Sequence, residues 1–415
     1  MKEGEEIHVN TKLFQPSLWD DFPMKRNNRL TNYVIQSDFE LDVPEKIKLP
    51  KEMQFVELKI NDHSDRIAKF LNENYNDSPE RVVYTDDYIE SLYKCPKKHF
   101  KKLKNISIDY WLIGIESRST GELYGFISAR PMTYYIDGRF VNGMFIDRMC
   151  THTSCRGKKM AVVLLKEMYR KLRTVENDCA AIFHTGSDLP FQGISQKSIL
   201  LEKSFVKSNN HLDDSKMEIQ ELSDRRDNET DPGIIKEINE RILELELISI
   251  VPTTDIHQIR LANKRDVDDL MRIYYSYTKN FRFYRIFNKK EFENTFLPRK
   301  DMVYTYVLTN SAGEIKDFVT INVFYNQCAQ KIAYISYISF FNEELLHLFM
   351  KNILFILKEG DFDKVLCHQN LGVCDTLKDR LEFVESRVSE STGWYAFNYN
   401  TKMMSHSECG MIIDL

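Results

Sequence analysis

The densest chemistry in this chain sits in four residues, Arg156-Gly157-Lys158-Lys159. They follow an alternating segment, Phe140–Cys150, that reads as a strand. They open a run, Met160–Leu172, whose apolar positions Val163, Leu164 and Met168 recur at helical spacing. A strand that turns through such a loop into a helix presents free main-chain N–H groups and the positive end of a helix dipole. That makes the loop an anion cradle. Three cations within four residues suit a polyanion such as a pyrophosphate. Cations at a helix N-terminus oppose the dipole, so an ordinary surface helix start explains them poorly. No G-x-x-x-x-G-K-[ST] is present, so the loop is not a nucleotide P-loop. Cys150, His152 and Cys155 offer metal-binding atoms, but their spacing follows no two-pair zinc pattern, and no metal is expected. His184 ends a short apolar strand, Ala180–His184, and its imidazole, with an ordinary pKa of ~6.5, suits proton acceptance. A packed or hydrogen-bonded histidine at a strand end is the alternative reading.

These residues must be held by a sizeable body. A chain of 415 residues suggests two or three domains at roughly 150 residues each. Lys+Arg is 57 and Asp+Glu 62, so 57 − 62 gives a formal charge of −5, which argues against a nucleic-acid partner held by bulk charge. With 42% apolar and 29% charged residues the composition is globular rather than disordered. No run approaches the ~18 apolar residues of a membrane span. The opening Met-Lys-Glu-Gly-Glu-Glu lacks the apolar core of a signal peptide. Eight cysteines are scattered without a C-x-x-C pair, as for free thiols in a reducing cytosol.

The spacing predicts four regions. Residues 1–50 are an extended arm with apolar anchors at Leu13, Phe14, Leu18, Trp19 and Phe22. Residues 51–205 hold strands at Gln54–Ile60, Asp109–Glu116, Glu122–Ala129, Phe140–Cys150 and Ala180–His184, with helices at Asp65–Asn74, Asp86–Leu92 and Met160–Leu172. Residues 206–252 are a charged connection with an amphipathic helix, Ile234–Leu247, that is either a solvated surface helix or a partner-binding one. Residues 253–415 repeat the order of the first half. They hold strands at Gln258–Leu261, Met302–Thr309, Asp317–Tyr325, Lys331–Ser339 and Lys364–His368, helices at Asp266–Asn280, Lys289–Phe296, Glu343–Lys358 and Cys374–Leu381, and a closing strand Trp394–Tyr399. Each half reads β-α-α-β-β-β-α-β, an internal duplication or two unrelated α+β halves.

The strand, R-G-K-K-M-A, helix arrangement resembles the acyl-CoA cradle of the N-acetyltransferase superfamily, whose loop reads Gln/Arg-x-x-Gly-x-Gly/Ala. Over most of its length the chain then resembles the N-myristoyltransferases (glycylpeptide N-tetradecanoyltransferases). Leu71-Asn72-Glu73-Asn74-Tyr75 is identical to a motif of that family. Tyr124–Ala129 resembles its V-G-F-I-S-A strand, Ile146–His152 its I-N-F-L-C-V-H, Arg156–Glu167 its L-R-S-K-R-x-x-P-V-L-I-x-E, and Gly186–Pro190 its G-x-x-L-P. Ser17–Pro23 resembles the Phe-Trp-x-Thr-Gln-Pro arm. Gly313–Phe318, Ala333-Tyr334 and the tail Gly410–Leu415 fit G-E-x-T-D-F, A-Y and the Gly-apolar ending.

The resemblance implies an α+β fold of two tandem GNAT-like halves, related by a pseudo-two-fold around a saddle-shaped mixed sheet. The first half would hold myristoyl-CoA and the second the peptide. It implies transfer of a C14 acyl group from its thioester to an N-terminal glycine amine, with no further cofactor, by a cytoplasmic monomer. Carried over by residue, the main-chain N–H groups of Arg148 and Met149 would form the oxyanion hole. The α-carboxylate of Leu415 would accept the amine proton, with the Asp414 side chain or His184 as stand-ins. Arg156, Gly157, Lys158, Lys159, Met160 and Ala161 would meet the CoA phosphates, and Leu18 and Trp19 would cover the nucleotide. Tyr75, Gly186, Tyr334 and Asn370 would line the peptide site. The chain departs from the family pattern at Arg148 (aromatic there), at Asn370 (Asp there), at His184 (Thr there), around Ser198–Ser204, and in a tail one residue longer.

Overall fold

The computed structural model of the chain describes residues 33–34, 47–75, 82–93, 106–175, 180–205, 211–249, 259–370, 372, 376–386 and 391–411. Leu18, Trp19, Asp414 and Leu415 lie outside the described residues. Of the amino-terminal arm, Tyr33–Val34 (β1) is described as a strand. The first half then runs through Met53–Glu57 (β2), Ile60–Asn74 (α1), Asp86–Tyr93 (α2), Leu112–Ser117 (β3), Leu123–Ile136 (β4), Arg139–Thr151 (β5), Met160–Val175 (α3) and Ala180–Thr185 (β6). Then come Leu200–Ser204 (β7) and a helical pair, His211–Asp227 (α4) and Pro232–Ser249 (α5). The second half has Ile259–Leu261 (β8), Val267–Thr278 (α6), Phe283–Ile286 (β9), Lys289–Phe296 (α7), Val303–Thr309 (β10), Ile315–Tyr325 (β11), Lys331–Ser339 (β12), Glu343–Glu359 (α8) and Lys364–His368 (β13). Val384–Glu385 (β14), Gly393–Phe397 (β15) and Tyr399–Asn400 (β16) follow.

The strands make two seven-stranded sheets and the small pair β1–β16. The first sheet runs β15-β6-β5-β4-β3-β2, with β9 paired to the far end of β4. The second runs β14-β7-β13-β12-β11-β10-β8. Neighbours are antiparallel except β5–β6 and β12–β13, the two pairs bridged by α3 and α8. Crossover through a helix is what parallel pairing requires. The mixed α/β architecture with two sheets agrees with the GNAT-like expectation. The halves also exchange strands. β7 of the first pairs with β13, while β15 and β9 of the second pair with β6 and β4.

Burial follows the sequence pattern. β10 alternates buried and half-buried residues, as a strand covered on one face does, whereas β12 is buried along nearly its whole length. On α3, Met160, Leu164, Met168 and Leu172 recur every four residues and pack on the first sheet against Ile113, Ile127 and Met144. α8 starts at Asn342, whose side-chain oxygen accepts the N–H groups of Glu344 and Leu345 at 2.9 and 3.1 Å.

Three expectations need correction. β7, β9 and β14 fall where no strand was expected. The charged connection carries a second long helix, α4, antecedent to the anticipated one. Within the expected helix Cys374–Leu381, the described residues form only a π-helical turn, Thr376–Arg380.

Candidate active site

The basic loop is held by the end of α1. Asn74 is buried, and its side-chain oxygen accepts the Thr153 N–H at 3.1 Å while its amide donates to the Phe70 carbonyl at 3.0 Å. Arg156 donates from Nη2 to the Asn74 carbonyl at 2.9 Å. Asn72 brackets Tyr84, accepting its N–H and donating to its carbonyl, each at 2.8 Å. Leu71 is fully buried in the core against Phe126 and Cys150. The L-N-E-N-Y motif is therefore a brace for the loop and for the segment before α2. Gly157 takes φ +76° and Lys159 φ +60°, a left-handed turn that leads the chain into α3. Arg156, Gly157, Lys158 and Lys159 are exposed, Met160 is buried and Ala161 half-buried. The exposed cations stand at the helix entry, where an anion would meet them.

Strand β5 is distorted at Arg148 and Met149, the two residues named for the oxyanion hole. Phe126 pairs with Cys150 but Ser128 pairs with Asp147, so Arg148 and Met149 together face Ile127. This is a β-bulge, and Arg148 carries a left-handed φ of +49°. A non-glycine residue keeps such a conformation only when its surroundings over-determine it. Here they do. The Arg148 N–H donates to Asp147 Oδ1 at 2.8 Å, and Asp147 Oδ2 pairs with Arg148 Nη1 and with Arg130 Nη2, the latter at 3.4 Å. Ser128 Oγ donates to the Asp147 carbonyl at 2.9 Å and is itself met by Tyr93 Oη at 2.7 Å. The Arg148 guanidinium, in a residue only 2% exposed, lies over the rings of Tyr84 and Tyr88 at 5.5 and 5.9 Å.

The bulge forms one corner of a cavity of about 330 Å³. Its apolar side is Leu165, Tyr169 and Leu172 of α3 with Phe183 and Phe397. Residues 165, 169 and 172 lie on one helix face and line the cavity for about 10 Å along the axis. Its polar corner is Asp147, Arg148 and His184, and Tyr75 also contributes. The cavity thus joins a bulged strand to an apolar wall carried by α3, the helix that the basic loop opens.

His184 is half-buried between two rings, stacked on Phe145 at 5.8 Å and edge-on to its cross-strand partner Trp394 at 5.2 Å. Opposite it stands His368 of β13, 2% exposed, whose Nδ1 lies 3.3 Å from Ser198 Oγ. Burial pushes the His368 pKa down to about 3, and positive charge on His184 adds to the push. His368 therefore stays neutral. The carboxyl-terminal tail arrives at the same place. Met411 packs in one cluster with Phe145 and Trp394, and its carbonyl accepts from Asn370 Nδ2 at 3.0 Å.

The structure thus brings Tyr75, Arg148, Met149 and His184 together around one cavity. Gly186 lies between lining residues, and its carbonyl accepts from Lys197 Nζ at 2.6 Å. Tyr334 and Asn370 do not line this cavity. Tyr334 is buried in the second core with an edge on His368, and Asn370 is buried as the tail's anchor. Sequence reasoning missed Asn72, Asn74, Asp147, Tyr84, Tyr88 and His368. Asn72 and Asn74 lay in the L-N-E-N-Y motif, and Asp147 had a local signal of its own, an acid beside a base. Among the described residues no group of three side chains could hold a metal ion, and no helix is long and apolar enough to cross a membrane.

Comparison with known proteins adds to this geometry. The family model described as myristoyl-CoA:protein N-myristoyltransferase, N-terminal domain, matches residues 35–196, and its C-terminal-domain counterpart matches residues 238–411. A glycylpeptide N-tetradecanoyltransferase of Kluyveromyces lactis is 27% identical over 285 residues, covering 67% of this chain but only 57% of that protein. The enzyme of the same name from Plasmodium falciparum is 25% identical over 389 residues, 89% of this chain and 85% of its own length. The crystal structure of Saccharomyces cerevisiae N-myristoyltransferase with bound myristoyl-CoA superposes with a TM-score of 0.77 at 19% identity, covering 97% of this chain and all of that one, and so shares the fold. With both halves matched in order along most of its length, the chain belongs to the myristoyl-CoA:protein N-myristoyltransferase family.

Proposed function

We propose that this chain transfers a myristoyl group from myristoyl-CoA to the amine of an N-terminal glycine on target proteins. The observation that carries the reading is the bulge at Arg148–Met149, set at the corner of an apolar cavity walled by α3, the helix that the basic loop opens. In this reading residues 51–205 bind the acyl-CoA and residues 253–415 most of the peptide. Arg156, Lys158 and Lys159 pair with the CoA phosphates, and the main-chain N–H groups of Gly157, Met160 and Ala161 shape the cradle. Leu18 and Trp19 cover the nucleotide. The acyl chain lies along Leu165, Tyr169 and Leu172.

The amine attacks the thioester carbonyl, whose oxygen gains charge. Main-chain N–H groups at the bulge stabilise that oxygen, a contribution that fixed donors make without reorganising. The glycine must first lose its ammonium proton. Leu415 supplies the acceptor through its α-carboxylate, with Asp414 or His184 as alternatives. The anchored Met411 supports this, because four further residues extend at most about 14 Å from it. In this reading the protein works in the cytosol, in keeping with its scattered cysteines, and as a monomer, as the family resemblance implies.

One observation favours a second reading, a homologue that binds acyl-CoA without efficient turnover. The Arg148 N–H already donates to Asp147, so one of the two expected oxyanion donors is engaged. Incubation with labelled myristoyl-CoA and a glycine-initiated peptide decides. Transfer of label supports the enzyme, and binding without transfer supports the second reading. Removing Asp414 and Leu415 together lowers turnover sharply with acyl-CoA affinity little changed. Unchanged turnover would dismiss a proton acceptor in the tail, and His184→Ala with an unchanged pH–rate profile would dismiss the imidazole.

A further inference from the structure

We propose that Asp147 and the Arg148 side chain are a coupled positioning pair that sets the oxyanion bulge, a role this chain gives to charge. The proposal rests on the acyl-transfer reading of the cavity. One carboxylate grips the following residue at both ends. Oδ1 takes its main-chain N–H at 2.8 Å and Oδ2 takes its guanidinium. Arg148 holds this grip at φ +49°, the left-handed turn of the bulge. The guanidinium is then fixed from outside by Tyr88 Oη at 3.4 Å and by the faces of Tyr84 and Tyr88. Those tyrosines are themselves strapped to the second half. The Val83 N–H donates to the Tyr325 carbonyl at 2.7 Å, and Tyr88 meets Phe324 edge-on at 5.5 Å. The bulge is therefore locked to both halves through one side chain.

The consequence is a division of labour between two adjacent amides. Arg148 N–H serves the grip, which leaves the N–H of Met149, the next residue and one that also lines the cavity, as the donor to the thioester oxygen. Neither member of the pair works alone. Asp147→Asn keeps an acceptor for the amide but leaves the guanidinium buried without its carboxylate. Arg148→Phe leaves the carboxylate buried beside Arg130 with its main partner gone. The double variant Asp147→Asn with Arg148→Phe removes both charges, keeps the acceptor and returns an aromatic ring to the tyrosine pair. An Asn followed by an aromatic is also what the I-N-F-L motif carries at these two positions.

The test measures the two single variants and the double variant in three ways: turnover with myristoyl-CoA and a glycine-initiated peptide, acyl-CoA affinity, and the infrared carbonyl band of bound myristoyl-CoA labelled with carbon-13 at the thioester. The expected result is a loss of kcat of about tenfold or more in each single variant, with acyl-CoA affinity within about threefold of the parent. The carbonyl band shifts to lower frequency on binding to the parent, loses that shift in the singles, and regains it in the double variant together with kcat to within about threefold. Single variants that keep both kcat and the band shift overturn the proposal. So does a double variant whose kcat and band shift fall by the product of the single losses, because the two residues then act independently. A parent protein that polarises the bound carbonyl but moves no label to glycine would defeat the acyl-transfer reading, while the band shifts of the variants still decide the pair.

Discussion

Replacing Asn74 by Ala separates the basic loop from the helix that holds it. The side chain makes two hydrogen bonds, to the Thr153 N–H at 3.1 Å and to the Phe70 carbonyl at 3.0 Å. Each is worth about 1 kcal/mol net, and a donor left unmet in a part-buried place costs somewhat more, so the whole change costs about 2–3 kcal/mol of stability. Of these two, only the Thr153 bond joins helix to loop, and the Arg156 bond to the Asn74 main-chain carbonyl is untouched by the change. Its loss, about 1.4 kcal/mol, moves the docked-to-undocked ratio of the loop about tenfold. A ligand that needs the docked loop then binds up to about tenfold more weakly, because its apparent Kd scales inversely with the competent fraction. Asn74→Asp sharpens the comparison, since a carboxylate still accepts from Thr153 but no longer donates to Phe70. Calorimetric titration with myristoyl-CoA at fixed temperature, beside thermal unfolding, reads both terms. The Ala variant should lose affinity and stability, the Asp variant stability with affinity largely kept. An Ala variant of reduced Tm that binds myristoyl-CoA within twofold of the parent would refute the idea that this brace holds the loop in its binding form.

At Gly410 a methyl group would lie 2.5 Å from Phe281 Cδ2, so Gly410→Ala pushes the tail off a buried ring. Turnover should drop about tenfold while acyl-CoA affinity stays within twofold, as steady-state kinetics and direct binding would show. Two buried groups pull the pH dependence of stability in opposite directions. Burial raises the Asp317 carboxyl to about 6 from an ordinary 3.8. The folded state then holds the extra proton between those values, and stability falls as pH rises through that window. Asp317→Asn should therefore gain up to ~3 kcal/mol at pH 7 and almost nothing at pH 4 in urea unfolding. His368, held down at about 3, leaves the unfolded chain with the extra proton below pH ~6.5, so stability falls on acidification. That loss is ~2 kcal/mol at pH 5, and His368→Asn should abolish it.

Elements with a complete local signal were legible to the residue. β12 and β13 begin and end where their apolar runs do, and α7 where Asn288 caps it and its apolar face stops. β7 was not, because Leu200–Ser204 is short and its partners, β13 and β14, lie more than 150 residues further on. α4 is polar nearly all round, so it read as connection rather than helix. The site shows the same division. The loop, the bulge and His184 were marked by residue type or motif. The grip on Arg148 was not, since Tyr88 is 60 residues away in sequence. Asn74 lay inside a recognised motif, but its partner Thr153 is 79 residues off, and only folding supplies it.

The exchange of β7 and β15 between the sheets has a reach beyond pairing. A cut within 211–249 would sever no strand of either sheet, yet each piece would carry off a strand that the other needs. The amino-terminal piece would lack the neighbour of β6, and the carboxyl-terminal piece the neighbour of β13. Neither would be a lesser enzyme. Each would present a raw sheet edge that only its counterpart fits, so the halves are obliged to mature as a clasped couple, however alike their ancestry.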